Sequence, residues 1–425
     1  MFWKNDLFKK VAYTLGILII YRVVMLIVIP GINLEIIGDI IEQSTFLKTL
    51  NMFAGGSIER CSILAVNIMP YMQATLIVQL LSSNSGLEYF KKLKLDKEIG
   101  IARLNQWTQY FTLIISFICA LYFSSFLYSF TPKGVPAVYI SKYLFYTISI
   151  SILCAGSLAM VWLSNQLTKI GLINQGTSLI MFANVAGSIW LNCAQIIDFF
   201  KIGVLNYTSI FIIALFLIIL ASAVLFVEMC KREIPVSFPG LQLKNEIVLP
   251  LKINNAGIVP SIFVSAIVHV PQLLMSICKK FGWFTDAIDK YITYVTYGGS
   301  FYFIFNAIML FIFTITQTEL VFDTEEIARS LQQNGIIIVN VRPGYDTMIY
   351  IKNILNNLNI VAGIYLVIVC TGVDYFCQSF NSSVGVRVLS ISGTSILILI
   401  GTAMNIWRGL KNYNVKGIME DLYKV

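Results

Sequence analysis

The chain has 425 residues, 57% of them hydrophobic and only 12% charged, with a net charge of +8 and a mean hydropathy of +0.78. A soluble domain carries roughly 25% charged residues, so this composition cannot solvate a surface of the chain's size, and lipid must cover much of it. The basic residues lie between hydrophobic runs and form no tract resembling a nucleic-acid-binding arm, which leaves membrane topology as their first role.

A helix needs about 20 apolar residues to cross the hydrocarbon core. Ten such runs can be marked, at 11–30, 61–83, 107–130, 143–164, 174–197, 207–228, 256–277, 297–318, 356–376 and 386–407. The first follows MFWKNDLFKK. It is too long for the apolar core of a signal peptide and no small-residue cleavage site follows it, so a retained span is expected. The second is entered through AGGSIERCSILAVN, residues 54–67. Gly55-Gly56 permits a sharp turn there. Glu59-Arg60 then interrupts the apolar sequence, and an ion pair is costly against lipid unless it faces protein or water. The segment reads either as a short helix folded into a cavity or as an interfacial turn leading into a plain span.

After the second run comes the most basic loop, EYFKKLKLDKEIGIAR, with Lys91, Lys92, Lys94, Lys97 and Arg103. Arg22 lies inside the first run and is set aside. With the N-terminus in the cytoplasm, cytoplasmic segments hold 20 basic residues and the opposite side nine. The positive-inside rule therefore places both termini in the cytoplasm. The seventh run begins near Ala256-Gly257-Ile258-Val259-Pro260-Ser261 and echoes the second, which begins near Val66-Asn67-Ile68-Met69-Pro70-Tyr71. Each has an early proline and then a leucine pair, Gln79-Leu80-Leu81 or Gln272-Leu273-Leu274. Broken helices at matching places point to an internal repeat around a central path, although two unrelated proline kinks would look the same. Segments 84–106, 229–255 and 319–355 exceed tight-turn length on the cytoplasmic side. They either dock a partner or are solvated linkers.

The chemistry of an active site is missing from the sequence. The single histidine, His269, sits among aliphatic residues in AIVHVPQ and reads as a packed or pore-side group. Neither H-E-x-x-H nor G-x-S-x-G occurs, and the glycines at 171 and 176 have phosphate-loop spacing without the following lysine. Cys61, Cys119, Cys154, Cys193, Cys230, Cys278, Cys370 and Cys377 form no C-x-x-C pair and read as small apolar residues. No cofactor or metal is expected. Coupled transporters usually carry carboxylates at the bilayer midplane, and the runs hold almost none. Passive conduction powered by a partner is favoured, with a secondary transporter built on an inverted repeat as the alternative.

Several stretches, taken in order over about 400 residues, carry a resemblance to a known family. They are IYRVVMLIVIPGI, NMFAGGSIERCSILAVNIMPYMQATLIVQLL, LPLKINNAGIVPSIF, ELVFDTEEIARSLQQNG, VRPG and SGTSILILI. The chain resembles the SecY family of protein-conducting channels. That resemblance implies an all-α polytopic membrane fold of ten transmembrane helices in two pseudo-symmetric halves, 1–200 and 201–425. The halves would surround a central hourglass pore with a plug helix and a lateral gate. It implies a non-enzymatic channel of the bacterial cytoplasmic membrane. Unfolded secretory proteins with signal sequences would cross it, and membrane segments would leave it sideways into the lipid bilayer. SecE and SecG-like subunits would be membrane partners, and the SecA ATPase or a ribosome the driver.

The resemblance also implies residue roles. Segment 54–67, with Gly56, Glu59, Arg60 and Cys61, would be the plug, its charged pair facing an aqueous outer funnel. The pore ring would comprise Ile68 and Met72 around Pro70, Thr177 and Met181 in QGTSLIM, Ile262 two residues past Pro260, and Ile398 in GTSILI. Ile68 and Met72 share a helix face at i, i+4, as do Thr177 and Met181. Such an apolar constriction excludes water and ions by dewetting. The two methionines are more flexible than the branched residues usual there, and Thr177 adds a hydroxyl. Partner docking would fall to Arg342 of the R-P-G motif in 319–355, and to Lys231 and Arg232, beside Glu228, in 229–255. The family's second basic cluster after I-P-V is replaced by Ser237-Phe238-Pro239-Gly240, so electrostatic steering of an acidic partner should be weaker.

Overall fold

Inside a bilayer the backbone must satisfy its own polar groups, so a long apolar run has little choice but to become helical. The protein's structure is a computed structural model that describes residues 2–33, 51, 54–83, 86–96, 99–129, 138–171, 175–237, 247–264, 267, 300–385 and 391–423. Each of the ten apolar runs contains helix among these residues. In chain order the helices are α1 (Phe2–Val24), α2 (Met69–Leu81), α3 (Glu88–Leu95), α4 (Ile99–Ser129), α5 (Lys142–Ile170), α6 (Gly176–Lys201) and α7 (Tyr207–Met229). After strands β1 (Lys231–Ser237) and β2 (Ile247–Lys252) come α8 (Ser300–Val321), α9 (Thr324–Gln333), strand β3 (Ile337–Ile338), α10 (Tyr345–Val384) and α11 (Gly393–Tyr423). His269, Cys278, Lys97, the 272–274 leucine pair and most of the seventh run lie outside the described residues.

Among the described residues, six helical stretches are long and apolar enough to cross a membrane, beginning at Ile99, Lys142, Gly176, Tyr207, Phe301 and Tyr345. The expected ten spans are thus met for six. One physical reason is the second run, whose helix has only 13 residues, about 20 Å at 1.5 Å per residue, because residues 54–68 before it are not helical. At the other extreme α10 has 40 residues. At about 60 Å it is twice the hydrocarbon thickness and must project from the membrane. Gly344 precedes it at φ 100° and Gly385 ends it in the left-handed conformation at φ 73°, a backbone geometry that costs glycine little.

Two compact units are present, residues 1–195 with 402–425, and residues 196–401. In the first, α4 and α5 pack through small residues. Ser124 and Ser149 are both fully buried and their hydroxyls share a 2.6 Å hydrogen bond. Ile29, Cys61, Ala65, Ala120, Leu127, Val138, Phe145 and Leu153 form one core cluster of this unit. A side chain on Gly156 of α5 would run into the carbonyl of Ile63, so the 54–68 segment approaches α5 at backbone distance. Small residues are what permit such approach where lipid offers no hydrophobic drive to helix association.

The fold is helical as expected, and in the second unit the segments 229–255 and 319–355, expected as loops, add a small sheet to it. Both segments contribute to a three-stranded sheet of order β2-β1-β3. β1 pairs antiparallel with β2, Lys231 opposite Lys252 through Val236 opposite Ile247. It pairs antiparallel with β3 at Val236–Ile338 and Ser237–Ile337. Ile234 and Val236 point inward from β1 and meet Leu251, Ile338 and, from the first turns of α10, Ile351, Ile354 and Leu355. Asp323 caps α9 by accepting from the backbone N–H of Glu325 and Glu326 at 3.1 and 3.3 Å, an ordinary N-terminal start signal. α7, which leads into β1, is apolar on nearly every face. Phe211, Ile218 and Phe226 are exposed, which in a membrane-crossing helix means contact with lipid.

Candidate functional site

The segment before α2 is irregular, with four residues of positive φ between 55 and 67. Residues 54–68 form consecutive turns, not the plug helix expected for 54–67. The reason lies in the backbone. Gly55, Gly56, Cys61 and Asn67 all have positive φ, at 68°, 87°, 44° and 53°, and each left-handed residue ends a helical path. The segment is held on one side by the stretch following α1. Ile29 N–H donates to Cys61 O at 2.9 Å and Ile63 N–H to Ile27 O at 3.0 Å, around an antiparallel bridge between Val28 and Ser62.

Gly56 and Cys61 are buried, whereas Glu59 and Arg60 are exposed. Among the described residues these two do not form the expected ion pair. The Glu59 carboxylate instead accepts from Asn51 Nδ2 at 3.0 Å, and Glu59 N–H donates back to Asn51 Oδ1 at 3.0 Å. An amide that pairs with both the backbone and the side chain of one residue fixes it better than an exposed ion pair, worth about 0–1 kcal/mol.

Ile68 is buried at the start of α2, with Pro70 in the first turn, where its missing N–H costs nothing. Ile68 N–H donates to Asn67 Oδ1 at 2.7 Å. Met72 N–H donates to Ile68 O at 3.1 Å, so these two lie one turn apart, with Met72 half-buried. On α6, Thr177 is half-buried and Met181 buried. Their helix starts at a close contact with α5: Gly176 N–H donates to Thr168 Oγ1 at 3.0 Å, and a side chain on Gly176 would strike Ser164 O.

In the second unit Ile262 and Ile398 are both buried. Ile262 stands in the helical stretch 259–264, whose entry is organised by Asn254. The side chain of Asn254 donates to Gly257 O at 3.2 Å and accepts from Gly257 N–H at 3.0 Å. It also donates to Glu228 Oε1 at 2.8 Å, tying this turn to the end of α7. A Cβ on Gly401 of α11 would lie 2.6 Å from Ile258 Cδ1, so α11 packs closely onto the same stretch.

Lys231, Arg232 and Arg342 are all exposed, and the sheet places them on one module. Lys231 and Arg232 open β1 opposite Lys252 and Leu251. Arg342 follows β3, which pairs with the far end of β1. At about 3.3 Å per residue the two ends of β1 are roughly 20 Å apart. Thr347 Oγ1 donates to Arg342 O at 2.8 Å, which anchors the arginine backbone and leaves its side chain outside.

The sequence reading passed over the polar residues that hold these pieces: Tyr21, Asn67, Asn184, Asn51 and Asn254. A signal was available for three of them. Tyr21, Asn67 and Asn184 are all polar residues inside apolar runs. Such groups must find partners away from water.

A family model described as SecY matches residues 62–407. The chain is 30% identical to Protein translocase subunit SecY of Rickettsia bellii, over 99% of this chain and 96% of that protein. It is 28% identical to Protein translocase subunit SecY of Escherichia coli, over 94% of this chain and 90% of that protein. Among solved structures it is similar to one described as "The structure of a protein conducting channel", with TM-score 0.67 and 18% identity over 96% of this chain and 92% of the other. It is also similar to Sec61 in the canine ribosome-channel complex from the endoplasmic reticulum, with TM-score 0.63 and 17% identity over the same shares. At these identities the structural likeness speaks for the fold.

Proposed function

The chain belongs to the SecY family, and on that premise we propose that it is the central subunit of a protein translocation channel. Unfolded secretory proteins pass through it, and membrane-protein segments leave it laterally into lipid. The observation that carries this reading is the end-to-end match to protein translocase subunits, 99% of this chain against 96% of the relative. It is a multi-pass membrane protein and acts as a channel subunit, not an enzyme.

The finer assignments follow from the family. Residues 1–200 and 201–425 are the two halves, in a bacterial cytoplasmic membrane with both termini in the cytoplasm. Ile68, Met72, Thr177, Met181, Ile262 and Ile398 line the pore constriction. A ring of apolar side chains keeps out ions by dewetting yet binds no passing chain strongly. The turn-rich segment 54–67, carrying Gly56, Glu59, Arg60 and Cys61, is the plug. Arg342, Lys231 and Arg232 receive the driver. SecE and SecG-like subunits accompany the chain in the membrane. SecA or a ribosome supplies the energy, because a channel without coupling chemistry of its own cannot.

The test is reconstitution of the chain with SecE- and SecG-like subunits in proteoliposomes, with SecA, ATP and a secretory precursor outside. Protease-protected precursor that depends on the chain, SecA and ATP is the expected result. No protection, together with uptake of a small solute by vesicles holding this chain alone, would favour a secondary transporter instead.

A further inference from the structure

Three buried polar side chains converge in the first unit: Tyr21 of α1, Asn67 at the end of the turn segment and Asn184 of α6, at 0%, 1% and 0% exposure. Tyr21 Oη donates to Asn184 Oδ1 and accepts from Asn67 Nδ2 at 3.1 Å. The same Asn67 amide donates to Ala54 O at 3.1 Å, while its oxygen accepts from Ile68 N–H at 2.7 Å. Ala54 and Asn67 are 13 positions apart in sequence, so this side chain closes the segment into a loop at its neck. Asn184 meets the same neck from the other side. A Cβ on Gly55 would lie 2.6 Å from Asn184 Oδ1 and 3.1 Å from its Cα, an approach that only glycine allows.

We infer that Tyr21, Asn67 and Asn184 are positioning residues that fasten the plug segment by its neck and thereby set how often the resting channel is closed. The inference rests on the plug reading of 54–67 and adds what holds the plug. Most of the segment is turns, so its own backbone hydrogen bonds cannot fix it as a helix would be fixed. The hydroxyl of Tyr21 ties the segment to α1 and, through Asn184, to α6. Displacing the segment separates these groups in an environment with little water to replace them, and buried polar groups that lose partners strongly favour the state in which they are paired. Asn67 is suited to the position on two counts: asparagine tolerates the left-handed backbone at φ 53°, and its amide reaches both Tyr21 and Ala54. Ile68, assigned to the constriction, is the next residue and is itself bonded to Asn67. Plug and constriction therefore share one anchor.

The test uses the full chain purified with its membrane subunits, in planar bilayers without precursor or driver. Tyr21→Phe keeps the ring and removes the hydroxyl. The closed-to-open ratio should fall about tenfold, the size expected for orphaning buried hydrogen-bonding groups, and resting ion conductance should rise accordingly. Asn67→Gly, which accepts the same backbone angle, should do likewise and serves as the probe if Tyr21→Phe reduces the amount of assembled channel. A third protein lacks residues 57–66. In that background Tyr21→Phe should add nothing, because the hydroxyl acts through the segment that is gone. Raised conductance in the deletion but not in Tyr21→Phe or Asn67→Gly would overturn the neck and leave the plug standing. An equal rise from Tyr21→Phe with and without the segment would also overturn it. A deletion with unchanged conductance would overturn the plug reading, and the neck with it.

Discussion

Arg342 is the residue at which docking and topology can be separated. Its side chain is exposed while its carbonyl is anchored by Thr347, so a substitution changes what the module presents without disturbing its frame. The orientation expected from the positive-inside rule draws on 20 basic residues, and losing one should not reorient a span. A docked guanidinium is different, since its planar fork makes paired contacts that lysine cannot copy. Truncating one partner of a desolvated charge pair costs about 2–5 kcal/mol. Arg342→Glu should therefore insert normally and abolish SecA-driven protection of precursor, and Arg342→Lys should be impaired. Near wild-type protection with Arg342→Glu, at matched channel amounts, would remove Arg342 from the docking surface. Gly156 makes a second case at this scale. A side chain there meets the Ile63 carbonyl, and backbone gives way less easily than a side-chain tip. Gly156→Val should destabilise the first unit by about 1–3 kcal/mol, the usual cost of overpacking. An unchanged unfolding midpoint in detergent would show that the two segments can separate freely.

At the scale of elements, the sheet is what brings segments about a hundred residues apart into one module, the one proposed above to dock the driver. Ile234 is buried at its centre. Ile234→Asp would place an uncompensated carboxylate there, which the fold cannot accommodate without opening. The expected outcome is normal membrane insertion, because no span is touched, together with new protease cleavage within 231–252 and loss of export. Protection of 231–252 equal to wild type would mean that the sheet does not depend on this core. The same elements show what sequence can and cannot reveal. The run at 207–228 became the helix Tyr207–Met229 because continuous apolarity in lipid leaves one solution. The strand KREIPVS offers only Ile234 and Val236 as an alternating apolar pair, too little for a period-two signal, and its partners are set by tertiary pairing. The turns at 54–68 were hidden for a related reason. Gly55-Gly56 announced a bend, but nothing in the type of Cys61 indicates a backbone at φ 44°. The shared Asn51–Glu59 bonds replace an ion pair that adjacent charges had implied.

For the molecule as a whole, composition alone required lipid, and the family match supplies what lies within it. The site residues were legible only through motif order, since Ile68, Met72, Thr177, Met181, Ile262 and Ile398 would otherwise pass for ordinary packing. Their burial in the structure, complete for Ile68 and Ile398 and partial for Met72 and Thr177, is compatible with packing as well as with a constriction, so burial does not decide between them. A translocating polypeptide does. The central claim is that an unfolded chain passes these residues, and the direct measurement is photocrosslinking from single positions to a secretory precursor arrested in mid-transit. A photoreactive residue at Met72 or Ile262 should give a precursor adduct that requires SecA and ATP, and one at Ile218, exposed on the apolar face of α7, should give lipid adducts only. Precursor adducts at Ile218 with none at Met72 or Ile262 would contradict the account.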